Sequence, residues 1–447
     1  MQTFLRSLCR VLRWTLGLAA VLLFIFVAIN AFDEDPSPVA KQLATPAPNP
    51  LKPEENLNLA LMGFAGPSGT APIAAGQAKV AEYEIALAAY VKDPKFDVSG
   101  IAPKDKGKLA FQGDVKFCRP LQYSCVARIE ANKAEIEQLL VANRELYERY
   151  LGLHRLAGYY DTATPSVYLP IGYANPEVKQ LFLANVALRA KANVPAGLKS
   201  ALADLRDDVK TWRQVLIGDG SIISKMFAVA SLHGDHAVLA DIIADKDIDL
   251  TPAVSEIEAI LGLINPADWK TGKMFVYEFR SGAGMLDNLN NPFFRKINAT
   301  KNLSAESMRR LQELADTNPE AYFGARDAYQ KWVRENMQEG LHYFYNPIGK
   351  ILMEIAMPAY EQYPLRAYDG MALQRLVRLC YEIRSKNIDD KSIPSFIREN
   401  SQWAAHPVDG KPFTWDAQKR EVAMQSLGGY TSKDRRFSFP VWNGAAK

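Results

Sequence analysis

The chain has 447 residues, with 53 Lys and Arg against 50 Asp and Glu, for a formal net charge of +3. Its 48% hydrophobic and 23% charged residues exclude a disordered chain, and four cysteines are too few for a disulfide-dense scaffold of this length. Charges that nearly cancel, with no basic block, argue against nucleic acid as a partner.

The N-terminal end carries the strongest pattern. Arg6, Arg10 and Arg13 precede an uninterrupted apolar run from Thr15 to Phe32, and Asp33, Glu34 and Asp35 follow at once. As a helix that run extends roughly 27 Å, enough to cross a hydrocarbon core with little tilt. Arginines before it and acids after it predict a cytoplasmic start (residues 1–14), a transmembrane helix (15–32) and a chain otherwise exported, as in a bacterial inner-membrane protein with a periplasmic body. Trp14 and Phe32 fall where the two membrane interfaces would lie. A cleaved signal peptide is the competing reading; the run is long for one, and no clean small-x-small site follows. No later stretch reads as a second span.

Residues 33–56 are rich in Pro and Ala. Pro36, Pro38, Pro46, Pro48, Pro50 and Pro53 predict an extended, semi-rigid stalk that holds the body off the bilayer. Residues 57–365 read as a helical body. Helical spacing of apolar residues predicts helices at 78–92, 126–157, 196–217, 221–245, 252–264, 304–316, 321–338 and 370–386. In the clearest of these, Leu198, Leu202, Leu205, Val209, Trp212 and Leu216 recur at alternating steps of four and three, and Gly218 stops the helix. Cys118 and Cys125 flank a short loop on the exported side and are expected to pair as a disulfide; two buried free thiols are the alternative. Cys9 lies before the span, and Cys380 reads as a core thiol.

Residues 366–447 change character. After the helix at 370–386, Asp409-Gly410 is a turn signal, and residues 413–415, 422–424 and 437–439 read as three short antiparallel strands. Pro407, Asp409, Gly410, Lys411, Pro412 and Phe413, followed by Ser426, Leu427 and Gly428, make this tail resemble the C-terminal part of type II secretion pseudopilin-like proteins. Long membrane-anchored bacterial proteins carry similar tails. The likeness is confined to the tail, and the chain departs from it in two places. The pilin processing site is missing before the apolar helix. The loop after Gly428 has Lys433, Asp434, Arg435 and Arg436 where a calcium-binding acidic pair would stand, so the resemblance implies a structural tail without a metal.

Signatures of enzyme chemistry are sparse. Gly66-Pro67-Ser68-Gly69-Thr70 lacks the last glycine of a nucleophile elbow, Ser221 stands four residues before Lys225 rather than three, and neither a phosphate-cradling nor a dinucleotide glycine motif occurs, so no nucleotide and no cofactor is expected. The weak metal candidates are His233, Asp235 and His236, with Asp241 nearby. The alternative is a helix face carrying two part-buried histidines, with Gly234 loosening the helix between them. His154, His342 and His406 read as ordinary hydrogen-bonded histidines. Tyr159-Tyr160, Phe293-Phe294 and Tyr343-Phe344-Tyr345 are candidates for an aromatic-lined groove, although core packing accounts for most aromatics. The Asn- and Pro-rich stretches 291–302 and 343–350 are where a binding surface would sit.

The expected fold is mainly α: one N-terminal transmembrane helix, an irregular multi-helix periplasmic body, and a small α+β unit with a short antiparallel sheet. The expected role is a non-enzymatic scaffold or interaction module of an envelope or secretion-type complex, with a protein partner. The alternative is a periplasmic hydrolase of an envelope polymer.

Overall fold

The computed structural model describes residues 2–93, 107–116, 125–192, 194–287, 296–338, 344–429 and 436–442. The fold is mainly helical. Helix α1 (Gln2–Ile29) stands apart from the body, and Val11, Trp14, Leu18, Leu22 and Phe24 on it are all exposed. The other helices are α2 (Pro38–Ala44), α3 (Leu57–Met62), α4 (Pro72–Lys92), α5 (Cys125–Ile129), α6 (Lys133–Ala142), α7 (Arg144–Leu153), α8 (Pro176–Lys191), α9 (Pro195–Ile217), α10 (Ile222–Ala244), α11 (Val254–Leu263), α12 (Lys273–Asp287), α13 (Ile297–Asp316), α14 (Tyr322–Val333), α15 (Pro347–Tyr360), α16 (Tyr363–Ser385) and α17 (Ile393–Glu399). Strands β1 (Thr414–Asp416), β2 (Glu421–Gln425) and β3 (Arg436–Pro440) form one antiparallel sheet in the order β1-β2-β3. Trp415 pairs with Val422, and Ala423 with Ser438.

Among the described residues, two large apolar clusters and a small one around Tyr83 and Ala163 hold the body together. The largest gathers α5–α11, the middle of α16 and the sheet, whose Val422, Met424, Phe437 and Phe439 are all buried in it. The C-terminal sheet therefore shares the main core rather than building its own. The second cluster lies among α2, α12–α15 and the start of α16. Helix α16 packs into both, and Gly370 shows how tightly: a Cβ there would overlap the Trp269 ring.

Among the described residues, two helices are long and apolar enough to cross a membrane. One is Arg10–Ile29 of α1, none of it buried. The other is α10, 78% buried, at the centre of the body. The sequence pattern treats one stripe of α10 as buried; in the fold it is enclosed nearly all round, and His233 and His236 are only 1% and 0% exposed.

The structure departs from the sequence expectation in several places: helices α8, α12 and α15 fall where none is predicted, and two further differences shape the body. Residues 126–157 are not one helix. A 3-10 turn at Glu130–Asn132 and a break at Asn143 divide the segment into α5, α6 and α7. The break has a polar cause: the Gln112 N–H donates to Asn143 Oδ1 at 2.7 Å, and Asn143 Nδ2 donates back to the Gln112 carbonyl at 2.9 Å. A buried Asn thus serves as backbone partner to a distant strand-like segment instead of continuing the helix.

The second difference is the segment after α1. It is no stalk. Pro38 occupies the first turn of α2, where its missing N–H costs nothing, and Ser37 Oγ accepts from the Ala40 N–H at 3.1 Å. Ala40 and Leu43 are buried against α12 and α13. Residues 33–47 thus form a strap laid on the body.

Candidate functional site

A cleft of about 640 Å³ opens where this strap crosses the body. Its walls are Ala44, Pro46 and Asn49 of the strap, residues 160–165, Asp219, and Tyr277 and Arg280 of α12. Local backbone pairing positions the loop: the Asp161 N–H donates to the Asp219 carbonyl at 3.0 Å, and the Leu57 N–H to the Gly158 carbonyl at 2.8 Å.

Most polar groups here have partners within the chain. Tyr277 Oη donates to Asp161 Oδ2 at 2.8 Å. Burial raises the Asp161 carboxyl to about 6, although Tyr277 opposes the shift. Arg280 donates to the Leu43 carbonyl at 3.0 Å and the Thr45 carbonyl at 3.1 Å, and lies 4.0 Å from Asp219. Tyr160 Oη donates to the Ala47 carbonyl at 2.6 Å. Behind the wall, Lys225 is fully buried and donates to the Val215 carbonyl at 2.7 Å and to the Gly218 carbonyl, the exposed end of α9. Burial draws its ammonium down to about 7. The Tyr159-Tyr160 pair thus reaches a cleft, as an aromatic groove would require: Tyr160 lines it, and Tyr159 lies buried behind it against Lys225.

The strap is anchored upstream as well. Asp33 accepts from the Asn298 and Ala299 N–H groups at 2.8 and 3.1 Å, closing the open start of α13. Asn302 donates to Glu34 and to the Asp35 carbonyl, and accepts from the Ser37 N–H at 2.7 Å. Asn30 donates to the Phe344 carbonyl at 2.8 Å and accepts from the Asn346 N–H at 3.0 Å. Of the Asn-rich stretches singled out in the sequence, Asn298, Ala299 and Asn302 hold the chain's own acidic segment Asp33–Asp35, and Phe344 and Asn346 hold Asn30. Phe293, Phe294, His342 and Tyr343 lie outside the described residues.

Of the metal candidates, Asp235 sits in a buried ionic cluster between α8, α9 and α10. Lys179 Nζ donates to both Asp208 and Asp235. Tyr150 Oη donates to Asp208 at 2.7 Å, His154 Nε2 lies 3.0 Å from the same oxygen, and Trp212 Nε1 donates to Tyr150. Burial alone would raise both carboxyls. Lys179 and His154 hold Asp208 well below the usual range, while burial and the neighbouring Asp208 push Asp235 well above it. The two carboxyls are thus pushed in opposite directions around a single ammonium. His236 Nδ1 lies 2.7 Å from the Leu232 carbonyl, burial lowers the ring to about 4, and His233 meets the Phe437 ring edge-on. Asp241 accepts from the Cys125 N–H at 2.6 Å. Among the described residues, no three His, Cys, Asp or Glu are grouped to hold a metal. Cys125 is buried, and Cys118 lies outside the described residues.

The tail is organised by Asp369, which the sequence pattern did not mark. This buried carboxylate on α16 accepts from Ser426 Oγ at 2.5 Å and from the Leu427 and Gly428 N–H groups at 2.9 Å, and His406 Nε2 lies 3.1 Å away. His406 also accepts from the Val408 N–H, and the His406 N–H donates to the Lys411 carbonyl. The Pro-x-Asp-Gly-Lys-Pro turn and the Ser-Leu-Gly segment thus meet on one anion. Lys433, Asp434 and Arg435 lie outside the described residues.

A second groove, about 410 Å³, runs along α16. Arg375, Arg378 and Lys386 line it against one carboxylate, Glu382, and Trp403 and Met371 supply apolar surface. Lys386 and Arg378 flank Glu382 at 2.9 and 3.6 Å.

No family model, curated protein or solved structure matches the chain.

Proposed function

We propose that this protein is a single-span protein of the bacterial inner membrane, its start cytoplasmic and its body periplasmic, acting as a non-enzymatic scaffold within an envelope complex. One observation carries the reading. Arg280 and Tyr160, which line the cleft beside the strap, are spent on holding the chain's own juxtamembrane strap. Such an arrangement fixes a body at a membrane surface and leaves its far side to partners. The groove along α16, with three cations against one carboxylate beside Trp403 and Met371, suits an acidic segment of an envelope protein. The pseudopilin-like tail serves in this reading as a structural cover organised by Asp369, and the Cys118–Cys125 bridge closes a loop on the oxidising side.

Hydrolysis of an envelope polymer keeps one specific observation in its favour. Asp161 lines the cleft with its carboxyl raised to about 6, the range a general acid needs. Site-specific photocrosslinking in the host separates the two readings. With a photoreactive residue at Arg378 or Trp403, the scaffold reading expects a discrete adduct with one envelope protein, unchanged by Asp161→Asn. Absence of an adduct, together with loss of polymer turnover in Asp161→Asn, supports the hydrolase and contradicts the scaffold.

A further inference from the structure

The apolar surface of α15 is turned the wrong way for a helix in a water-soluble body. Ile348, Ile351, Leu352 and Ile355 follow one another at steps of three, one and three, which places them on a single face. All four are exposed, Ile355 by 75%, while Met353 and Met357 on the opposite face are 6% and 2% exposed and pack into the second core cluster. Phe344, just before the helix, extends the patch. No charged residue interrupts the stripe: Lys350 is buried, and Glu354 lies between the two faces.

The position of this face identifies its occupant. Asn30, the first residue after α1, is hydrogen-bonded to Phe344 and Asn346, so α15 begins one side chain away from the end of the apolar helix. Asn346 adopts a left-handed conformation, φ 52°, and its side chain accepts from the Gly349 N–H, which fixes the direction in which α15 leaves that point. Pro347 opens the helix. We infer that α15 is an interfacial helix. Its Ile348–Ile355 face lies in the outer headgroup region of the same bilayer that α1 crosses, and the body rests on the membrane along it. The inference rests on α1 spanning the bilayer. The eight residues from Ile348 to Ile355 give a contact roughly 12 Å long, and an apolar face of this kind settles roughly 5–10 Å into the headgroup and acyl boundary. A face left in water at this place would be an aggregation site.

The test uses the full chain in bilayers of phosphatidylethanolamine and phosphatidylglycerol. A ketone-bearing amino acid carrying an oxime-linked nitroxide is placed singly at position 355, at 24 within α1, and at the exposed Val141 as the aqueous reference. Collision rates with oxygen, which concentrates in lipid, and with a water-soluble nickel chelate report depth. The expected result is a several-fold higher oxygen-to-nickel ratio at 355 than at 141, with 24 higher still. The double variant Ile351→Lys, Ile355→Lys, labelled at 348, should return to the ratio of 141. A ratio at 355 equal to that at 141, with 24 in lipid, overturns the inference and leaves the span standing. A label at 355 shielded from both reagents signifies a protein cover, a second copy or a partner, and also overturns it. A water-exposed label at 24 overturns both.

Discussion

Asp33 closes the start of α13: its two carboxylate oxygens take the N–H groups of Asn298 and Ala299, 265 and 266 residues away in the chain. The acid that follows the apolar helix is thus also a cap for a helix of the body. Removing it with Asp33→Ala should cost about 1 kcal/mol, the usual size of a lost cap. Hydrogen exchange should accelerate in the first turn of α13 and along residues 37–45, while α9 and α10 keep their protection.

Arg280→Ala should loosen the same strap from its other end, since the guanidinium holds the Leu43 and Thr45 carbonyls. Arg280→Lys supplies a charge but not the two-pronged geometry and should restore only part of the protection. Limited proteolysis between residues 44 and 52 in the full-length protein reads this directly.

Lys179 makes the strongest stability prediction. Lys179→Ala leaves Asp208 and Asp235 facing each other in the core, and a loss of about 3–5 kcal/mol is expected. Burial and Asp208 push the Asp235 carboxyl up, so Asp235→Asn should cost less than Asp208→Asn, which removes the group that Lys179, His154 and Tyr150 all face. Denaturant unfolding of the three variants gives the order. Equal losses for both Asn variants would contradict the assignment.

Two buried groups oppose each other with pH. His236 takes a proton near 6.5 when unfolded and near 4 when folded, so its contribution is whole above 6.5 and is lost as pH falls toward 4. Asp161 goes from 3.8 unfolded to about 6 folded, so its contribution is whole below 3.8 and is lost as pH rises through 6. The His236 difference corresponds to roughly 3 kcal/mol, and that of Asp161, which lines a cleft, to less. Between pH 4 and 6, His236→Gln should turn the stability profile downward with rising pH, and Asp161→Asn should make it rise more steeply. Thermal unfolding across that range measures both slopes.

Asp369→Ala should release the tail as a unit, because Ser426, Leu427, Gly428 and His406 lose a shared acceptor. A cost of roughly 3 kcal/mol or more is expected, with β1–β3 becoming protease-sensitive before the helices do.

Some of this fold is legible in the sequence. Helix α9 carries its own boundaries, since Pro195 and Gly218 bracket an unbroken apolar stripe, and the strands follow from short apolar alternations beside Asp409-Gly410. What escapes the sequence depends on partners far along the chain. Asn143 looks like one more polar helix residue until Gln112 is beside it. The Pro-rich strap reads as a stalk because its composition speaks only for an isolated chain; Asn298, Asn302 and Arg280 decide otherwise. In α15 nearly every position is apolar, so the pattern does not tell which face is covered. Asp369 carries no local signal, since its role appears only when the turn at 407–412 and the segment at 426–428 arrive together.

In the proposed arrangement α1 crosses the bilayer and delivers the strapped body to its far side. A membrane-impermeant thiol reagent applied to right-side-out vesicles holding the full-length Val141→Cys protein tests it most directly, with Cys9 as the internal reference. Labelling at 141 in sealed vesicles, and at Cys9 only after the membrane is opened, is the predicted result. Labelling at 141 that requires opening the membrane would contradict the account.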